Sequence, residues 1–263
     1  MTHRIITGAR GLVGQALTHH LTEEPGTLLA IDTTRDEAAS TTAGEIHQAD
    51  CRSADFGDLV ADFLRGASRV ELFHTAGFVP EPTHIADIDT DAFRALVDDN
   101  LTVAYAALRT TARIAAENEV PGALTVLGSV GAIRAHRYKA AYDAAKAGVA
   151  SLVRSFALEY GPYGISSRLV AIGPIAESAS TAQDGAYAEP LVRLVPLHRY
   201  ARVAEIAAAV AAFGSAAFDM TNGHTLTLDG GLSQQLRPLD IERPPGCLDC
   251  KPTAPCGRPH GFD

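Results

Sequence analysis

Short apolar runs alternate with longer segments of helical period along most of the chain, and this alternation constrains the fold more than any other feature. The predicted strands are Ile5–Thr7, Leu28–Ile31, Glu45–Gln48, Val70–Phe73, Leu124–Leu127, Ser167–Ile172 and Thr225–Leu228. The predicted helices lie near residues 12–23, 55–65, 91–118, 139–160 and 202–213. Apolar strands that alternate with helices are typical of a parallel sheet covered on both faces. We therefore expect an α/β fold with a single doubly wound, Rossmann-type parallel sheet.

The net charge argues against two classes of partner. The 263 residues carry a formal net charge of −9, which provides no attractive field for nucleic acid or for an anionic membrane. No apolar run approaches the roughly 18–20 residues that are needed to cross a bilayer. We therefore expect no nucleic-acid partner and no membrane anchor.

Cysteine usage and a change in composition indicate the compartment and the domain organisation. A strand-like run begins almost at the first residue, so we expect no signal peptide. Cys51 is the only cysteine before Cys247, which is typical of a cytoplasmic protein without structural disulfides. Composition changes after about Leu236. We expect one folded domain over residues 1–236 and a tail rich in proline and cysteine over residues 237–263.

A glycine-rich turn joins the first predicted strand to the first predicted helix. Gly8, Gly11 and Gly14 lie in IITGARGLVGQAL, and Asp32 follows eighteen residues after Gly14, at the end of the second strand. Glycine lets backbone N–H groups approach a pyrophosphate, and the helix N-terminus adds a favourable dipole. In this strand–turn–helix context the triplet predicts a dinucleotide-binding site.

Acidic residues near this turn bear on the type of cofactor. Asp32 favours NAD over NADP, because a carboxylate accepts hydrogen bonds from the ribose 2′-OH and repels a 2′-phosphate. Arg10 and Arg35 keep NADP open, since either arginine could contact a phosphate. Asp50 ends AGEIHQAD and is expected near the adenine, with a solvated loop carboxylate as the alternative.

The segment LGSVGAIRAHRYKAAYDAAKAG predicts the chemistry. Tyr142 and Lys146 are four residues apart on a predicted helix and therefore share one face. A phenol loses its proton near pH 10, and a nearby ammonium is expected to lower that pKa, so the tyrosine can act as acid or base. Ser129 follows a strand, and its hydroxyl is expected to hold a substrate oxygen. A surface tyrosine–lysine pair is the alternative interpretation.

With the glycine turn and the serine, tyrosine and lysine together, the sequence resembles the short-chain dehydrogenase/reductase family over roughly residues 3–235. Members have one doubly wound domain and transfer hydride between a nicotinamide and an alcohol or carbonyl. Ser129, Tyr142 and Lys146 match the catalytic triad of the family, and Asn100 in VDDNLTVAY matches the asparagine that holds a water in its proton relay. HTAG resembles the NNAG motif beside the adenine ribose, and TNGHTLTLDGG resembles the last strand of compact members.

The resemblance implies two sets of site residues. The implied catalytic residues are Asn100, Ser129, Tyr142 and Lys146. The implied cofactor-binding residues are Gly8, Arg10, Gly11, Leu12, Val13, Gly14, Asp32, Asp50, Cys51, Thr75, Ala76, Gly77, Asn100, Tyr142, Lys146, Gly173 and Ile175.

The chain departs from the family pattern at three points. The spacing of its glycines is that of the extended branch, whereas its length and C-terminal third resemble the compact branch. His74 replaces the first asparagine of NNAG. In VAIGPIAES, Ile172 replaces a proline, and Glu177 lies near the position of a threonine that contacts the nicotinamide amide, a role that Ser178 could take.

The residues and the resemblance predict an enzyme that interconverts a secondary alcohol and a carbonyl on a small or medium organic substrate, with NAD(H) as cofactor. The first alternative is an epimerase or dehydratase that acts on a sugar-like substrate through transient hydride transfer. A non-catalytic NAD-binding module is the second alternative. Family members pair helices that correspond to residues 100–118 and 141–160, which implies a homodimer or homotetramer.

The tail suggests an additional role. Cys247, Cys250, Cys256 and His260 could form a tetrahedral zinc site, although their spacing matches no strong finger pattern. A redox pair through the first two cysteines is a second alternative. The third is that the tail binds no metal and either packs over its own or a neighbouring subunit or is disordered. The functional interpretation that we favour is a cover over the active-site mouth of a partner subunit.

Overall fold

The computed structural model describes residues 1–33, 45–178 and 191–237. Within these ranges the strands are β1 (Thr2–Thr7), β2 (Thr27–Asp32), β3 (Ile46–Gln48), β4 (Arg69–His74), β5 (Gly122–Ser129), β6 (Ile165–Ile172) and β7 (Thr225–Leu228). The helices are α1 (Leu12–Thr22), α2 (Ala54–Phe63), α3 (Thr90–Val97), α4 (Val103–Glu117), α5 (Ala140–Tyr160) and α6 (Val203–Gly214). Arg35 and the predicted tail site, Cys247, Cys250, Cys256 and His260, lie outside the described residues.

The strands form one seven-stranded sheet in the order β3-β2-β1-β4-β5-β6-β7. Every neighbouring pair is parallel. Helices α2, α4 and α5 cover one face, where Phe56 and Leu108 are buried. Helices α1 and α6 cover the other face, where Leu17 and Val210 are buried. The predicted doubly wound α/β fold is therefore confirmed.

The strand order reverses between β1 and β4, and the carboxyl ends of the strands there border a crevice. In open parallel sheets this switch point is where ligands bind. The turns after β1 and β4 meet at this point. The candidate site is consequently placed by the sheet topology before any side chain is considered.

The predicted helix over residues 91–118 is interrupted in the structure. Helices α3 and α4 are joined by a π-helical turn, Asp98–Thr102, which contains Asn100. The Asn100 amide nitrogen donates to the Leu96 carbonyl at 3.1 Å, four residues earlier in the chain. A side chain that takes a backbone acceptor in this way competes with the regular helical hydrogen bonds. The interruption directs the buried Asn100 side chain toward the crevice.

None of the helices in the described residues is long and apolar enough to cross a membrane. The predicted domain boundary after residue 236 lies at the end of the last described range and stays a prediction.

Replacing Gly14 by alanine should damage the first turn. A Cβ atom at Gly14 would lie 2.0 Å from the Gly8 carbonyl oxygen, so helix α1 has to move away from the turn. We expect Gly14→Ala to lower the free energy of unfolding by about 1–3 kcal/mol and to weaken binding of the dinucleotide that the glycine turn predicts. Urea unfolding and fluorescence titration measure the two effects.

The matched control is Gly57→Ala in α2. A Cβ atom there would meet only Thr110 Cγ2, at 3.8 Å. Because alanine favours helix more than glycine, this variant should be unchanged or more stable by up to about 1 kcal/mol. Equal behaviour of the two variants would contradict the close contact at Gly14.

Candidate active site

The turn after β1 is held between its two neighbouring strands. The backbone N–H of Gly8 donates to the Ile31 carbonyl of β2 at 3.0 Å. On the other side, the Thr75 hydroxyl donates to the carbonyls of Thr7 and Gly8, at 2.9 and 3.0 Å. Gly8 has a φ of 78°, and a Cβ atom there would lie 2.4 Å from the Ala76 nitrogen. Only glycine fits this turn.

A cleft of about 420 Å³ opens over this turn. Its lining includes eight of the predicted cofactor-binding residues: Gly8, Arg10, Gly11, Asp32, Cys51, Thr75, Ala76 and Gly77. Thr7, Ile31, Thr33, Ala49, Arg52, Phe78, Asp99 and Val103 complete the lining. Predicted residues that are not in the lining are Leu12, Val13, Gly14, Asp50, Asn100, Tyr142, Lys146, Gly173 and Ile175.

The chemistry of this lining fits a dinucleotide. Gly11 is the N-cap of α1 and contributes no capping side chain, so the first N–H groups of the helix are available to an anion. Among the described residues, no group accepts a hydrogen bond from Nε or Nη1 of Arg10, although both atoms are buried. Donors of this kind beside a glycine turn suit a pyrophosphate.

Two carboxylates, one in the lining of the cleft and one behind it, were predicted to lie near the adenosine of a cofactor. The backbone N–H of Arg10 donates to Asp32 Oδ2 at 2.9 Å, which fixes the carboxylate at the end of β2. Asp50 is bound by Arg52, with Nη2 and Oδ2 2.6 Å apart, and this hydrogen bond lowers the pKa of Asp50. Arg52 also pairs with Asp98. Asp50 therefore orients Arg52, a lining residue that no sequence pattern singled out.

Ser129 and Tyr142 meet at the next strand end. Ser129 ends β5, and its hydroxyl oxygen accepts the Gly131 N–H at 3.0 Å. The Ser129 side chain lies near enough to the phenol of Tyr142, at the start of α5, to favour ionisation of that phenol. Burial raises the pKa of Tyr142, the Ser129 hydrogen bond opposes that rise, and the charge of Asp143 adds to it. The two side chains that were predicted to share a substrate oxygen are thus in contact.

Lys146 is buried beside Tyr142. The lysine is only 6% exposed, and its Nζ lies 5.5 Å from the centroid of the Tyr142 ring. Burial lowers the pKa of Lys146 to about 8. The sequence predicted that the ammonium would lower the pKa of the phenol. In the structure the net shift of Tyr142 is upward, because desolvation outweighs the favourable interactions.

Gly77 connects the cleft to these catalytic candidates. A Cβ atom at Gly77 would lie 3.0 Å from both Asn100 Oδ1 and Lys146 Nζ. Asn100 is held there by Phe78, whose N–H donates to Oδ1 at 3.2 Å and whose carbonyl accepts from Nδ2 at 3.0 Å. Asn100, Gly77 and Lys146 therefore lie together at the inner end of the nucleotide cleft.

His74 occupies the position where the resembled motif has asparagine. Its Nδ1 lies 2.7 Å from the Thr7 hydroxyl, so the histidine ties β4 to β1. Full burial, followed by the charge of Lys146, lowers the pKa of His74 to about 3. Burial also raises the pKa of the nearby Cys51 thiol, to about 12. The shifts therefore favour the neutral forms of His74 and Cys51 at neutral pH.

Three residues after β6 contact neighbouring parts of the fold. Gly173 packs against Asp229, and Ile175 pairs with Ala201. The carboxylate of Glu177, the residue near the position of the family threonine, accepts the Val203 N–H of α6 at 2.9 Å. A carboxylate at a helix N-terminus is favourable. This glutamate therefore supports α6.

The comparisons with known proteins agree with this arrangement. A family model described as enoyl-(acyl carrier protein) reductase matches residues 9–233. The chain belongs to the short-chain dehydrogenase/reductase family. It is accordingly an NAD(P)-dependent oxidoreductase that acts on CH–OH groups.

Three relatives illustrate the similarity. An uncharacterised short-chain type dehydrogenase/reductase of Sinorhizobium fredii is 31% identical over 86% of this chain, which spans 43% of the length of that relative. L-rhamnose 1-dehydrogenase (NAD(P)(+)) of Azotobacter vinelandii is 28% identical over 88% of this chain and 89% of its own. A solved short-chain oxidoreductase from Burkholderia thailandensis is 30% identical, with a TM-score of 0.77 over 89% of this chain and 93% of its own.

Replacing Lys146 by methionine should change how stability depends on pH. The pKa of the lysine falls from 10.5 to about 8 on folding. Below about pH 8 both states are protonated, and burial of the charge destabilises the folded state. Between about pH 8 and pH 10.5 the unfolded chain binds more protons than the folded protein, so the stability of the wild type rises with pH. Lys146→Met should therefore be more stable than wild type near neutral pH, by up to about 3 kcal/mol, and this advantage should shrink toward pH 10.

Urea unfolding at about pH 7 and about pH 9.5 measures this trend, in a range below the pKa of ordinary tyrosines. Lys139→Met, at a partly exposed lysine before α5, is the matched control. If the difference in unfolding free energy between Lys146→Met and wild type stays constant with pH, the lowered pKa of Lys146 is contradicted.

Proposed function

We propose that the chain is an NAD(H)-dependent oxidoreductase that interconverts a secondary alcohol and a carbonyl on a small or medium organic substrate. The observation that carries the proposal is the contact of Ser129 with Tyr142, beside a buried Lys146, at the inner end of the nucleotide cleft. The names of the relatives described above are those of dehydrogenases or of members of the same family. These names do not favour the epimerase alternative.

The candidate catalytic residues take distinct roles in this proposal. Tyr142 donates a proton to the carbonyl oxygen in reduction and accepts one from the hydroxyl in oxidation. Ser129 holds that oxygen by a hydrogen bond. Lys146 stabilises the phenolate when it forms, and Asn100 supports the route of the proton between Lys146 and water. The bound nicotinamide supplies or accepts the hydride.

The residues that would hold the nicotinamide cofactor follow from the cleft. Gly8, Gly11 and the first turn of α1 would hold the pyrophosphate, and Arg10 would add donors beside it. Asp32 would accept hydrogen bonds from the adenine ribose. We propose NAD rather than NADP, because the Asp32 carboxylate is fixed by the Arg10 backbone where a 2′-phosphate would be repelled.

The setting of the enzyme is a further part of the proposal. We expect a homodimer or homotetramer in the cytoplasm, formed through α4 and α5. The metal site suggested by the tail sequence stays a prediction, and metal analysis of the purified full-length protein tests it. Size-exclusion chromatography with light scattering tests the oligomeric state.

Replacing Tyr142 by phenylalanine should abolish turnover and preserve cofactor binding. The variant loses the proton donor but keeps the ring, so we expect turnover to fall by more than about a hundredfold. Reduction of 2,3-butanedione and oxidation of L-rhamnose, followed by NADH absorbance, form the first assay panel. NADH affinity from fluorescence titration should stay within about twofold of wild type.

Tyr138→Phe is the matched control for this variant, because Tyr138 lies in the preceding loop and is exposed. It should retain most of the activity. Substantial turnover by Tyr142→Phe would refute the proposed function.

Replacing Asp32 by alanine should shift the preference between the two cofactors. Without the carboxylate the repulsion of a 2′-phosphate disappears, and a ribose contact is lost. We expect the ratio of kcat/KM for NAD to kcat/KM for NADP to fall by about tenfold or more. Asp58→Ala, at an exposed carboxylate on α2, is the control. An unchanged ratio in Asp32→Ala would remove the basis for preferring NAD.

A further inference from the structure

The residue directly after Tyr142 is a buried acid that the proposed chemistry does not use. Asp143 lies in the first turn of α5 and is 8% exposed. Both of its oxygens are bound by His136: the backbone N–H donates to Oδ2 at 2.6 Å, and the ring Nδ1 lies 2.8 Å from Oδ1. His136 belongs to residues 130–139, which connect Ser129 to α5 and are called here the serine loop.

The Asp143 carboxylate also packs against the residue that holds Ser129. A Cβ atom at Gly131 would lie only 2.2 Å from Asp143 Oδ1, so the backbone at Gly131 is in close contact with the carboxylate. The N–H of Gly131 donates to the Ser129 hydroxyl oxygen at 3.0 Å. Any displacement of the carboxylate is therefore passed through one residue to the serine hydroxyl.

The outer part of the serine loop is held by other elements. The Arg134 guanidinium donates to the Ser233 carbonyl at 3.3 Å. The Tyr138 carbonyl accepts the Thr83 N–H at 2.9 Å, and Tyr138 adopts the left-handed region with a φ of 66°. These contacts fix the loop against its surroundings. The Asp143–His136 pair and the backbone hydrogen bond from the Asp143 N–H to the Lys139 carbonyl, at 3.0 Å, tie the loop back to the helix that carries Tyr142.

We propose that Asp143 and His136 are positioning residues that hold Ser129 at the correct distance from Tyr142. The inference rests on the proposed function, since it assumes that these two side chains share a substrate oxygen. The distance matters because a misplacement of about 1 Å in a catalytic constellation can cost on the order of a hundredfold in rate. The carboxylate acts through Gly131 and His136 and does not touch the substrate.

The charge of Asp143 also affects the pKa of Tyr142. This effect allows an experiment to distinguish a positioning role of Asp143 from an electrostatic one. The negative charge contributes to the raised pKa of Tyr142, so it opposes formation of the phenolate. Within the described residues, the other titratable groups around the phenol are Lys146, His136 and four residues that line an adjacent small cavity: Glu81, Asp87, Tyr138 and Lys139. A variant that keeps the shape of Asp143 but removes its charge should therefore change the pKa of Tyr142 without moving Ser129.

The decisive comparison is between Asp143→Asn and Asp143→Ala. An asparagine amide can accept the His136 N–H and donate to the unprotonated ring nitrogen, so the loop stays in place. With whichever substrate of the assay panel the wild type turns over, we expect the single-turnover rate in Asp143→Asn to stay within about threefold of wild type, and that of Asp143→Ala to fall by about tenfold or more. His136→Ala should show a comparable loss. KM for NADH should change little in any of them.

The pKa of Tyr142 provides a readout that needs no substrate. Tyrosine labelled with ¹³C at Cζ reports phenol ionisation by NMR in the NADH complex, and Tyr142→Phe assigns the signal among the seven tyrosines. Both Asp143 variants should lower the pKa of Tyr142 relative to wild type, whereas His136→Ala retains the carboxylate and should not lower it. Asp91→Ala, at an exposed acid on α3, is the control for both measurements.

The outcomes distinguish this inference from the proposed function. Wild-type rates in both Asp143→Ala and His136→Ala would overturn the inference, and so would an equal loss in Asp143→Asn and Asp143→Ala, which would assign the effect to charge. If Asp143→Ala does not fold, His136→Ala decides, because its side chain is 40% exposed and its removal perturbs the core less. Activity in Tyr142→Phe would instead refute the proposed function.

Discussion

The close contact between the turn after β1 and the end of β4 is the constraint on which the rest of the site depends. The Thr75 hydroxyl binds the carbonyls of Thr7 and Gly8, and the backbone of Ala76 lies where a side chain at Gly8 would be. This contact brings Gly77 beside Lys146 and thereby joins the nucleotide cleft to the catalytic candidates. This contact requires the parallel pairing of β1 with β4, so the geometry of the site depends on the order of the strands in the sheet.

Tight packing at this contact also determines the electrostatics. Lys146 and His74 are deeply buried, and burial lowers the pKa of each. Burial raises the pKa of Tyr142. All three shifts favour the neutral form, as expected where water is excluded. In the proposed function, a protonated phenol suits carbonyl reduction, in which Tyr142 would act as an acid. Alcohol oxidation would need the phenolate, and in that direction the charged form of Lys146 would have to offset the cost of burial.

The fold was predictable because its determinants are local and periodic. Apolar runs and glycine positions located every strand to within a few residues, and the helices that cover the sheet followed from their period. The segment 91–118 was the exception. Its apolar period continues across the π-helical turn, so the period predicts one continuous helix. At the turn, the Asn100 side chain combines a local hydrogen bond to the Leu96 carbonyl with two tertiary hydrogen bonds to Phe78, and no local pattern contains the tertiary pair.

Within the candidate site, the sequence pointed to residues that belong to a motif. It did not point to loop residues whose place at the site depends on pairing with another side chain. Residues Gly8, Asp32, Ser129 and Tyr142 have fixed relations to strand ends or helix turns. Arg52 has none, and its importance at the cleft appears only through its contacts with Asp50 and Asp98. The pairing of loop side chains depends on the path of the backbone between regular elements, and neither a period of two nor one of 3.6 residues describes that path.

The departures from the family pattern show how such loop contacts differ while the residues proposed for catalysis match the family. His74 takes the place of an asparagine and uses the Thr7 hydroxyl to tie β4 to β1. Glu177 stands near the position of a threonine and binds the N-terminus of α6. In both cases the new side chain supports a neighbouring element of the fold. The phenol of Tyr142 and the ammonium of Lys146 are positioned by α5, and the Ser129 hydroxyl is positioned by β5. The substitutions at residues 74 and 177 therefore do not alter the distances among these three groups. Contacts such as that of Asp143 with His136 maintain those distances instead.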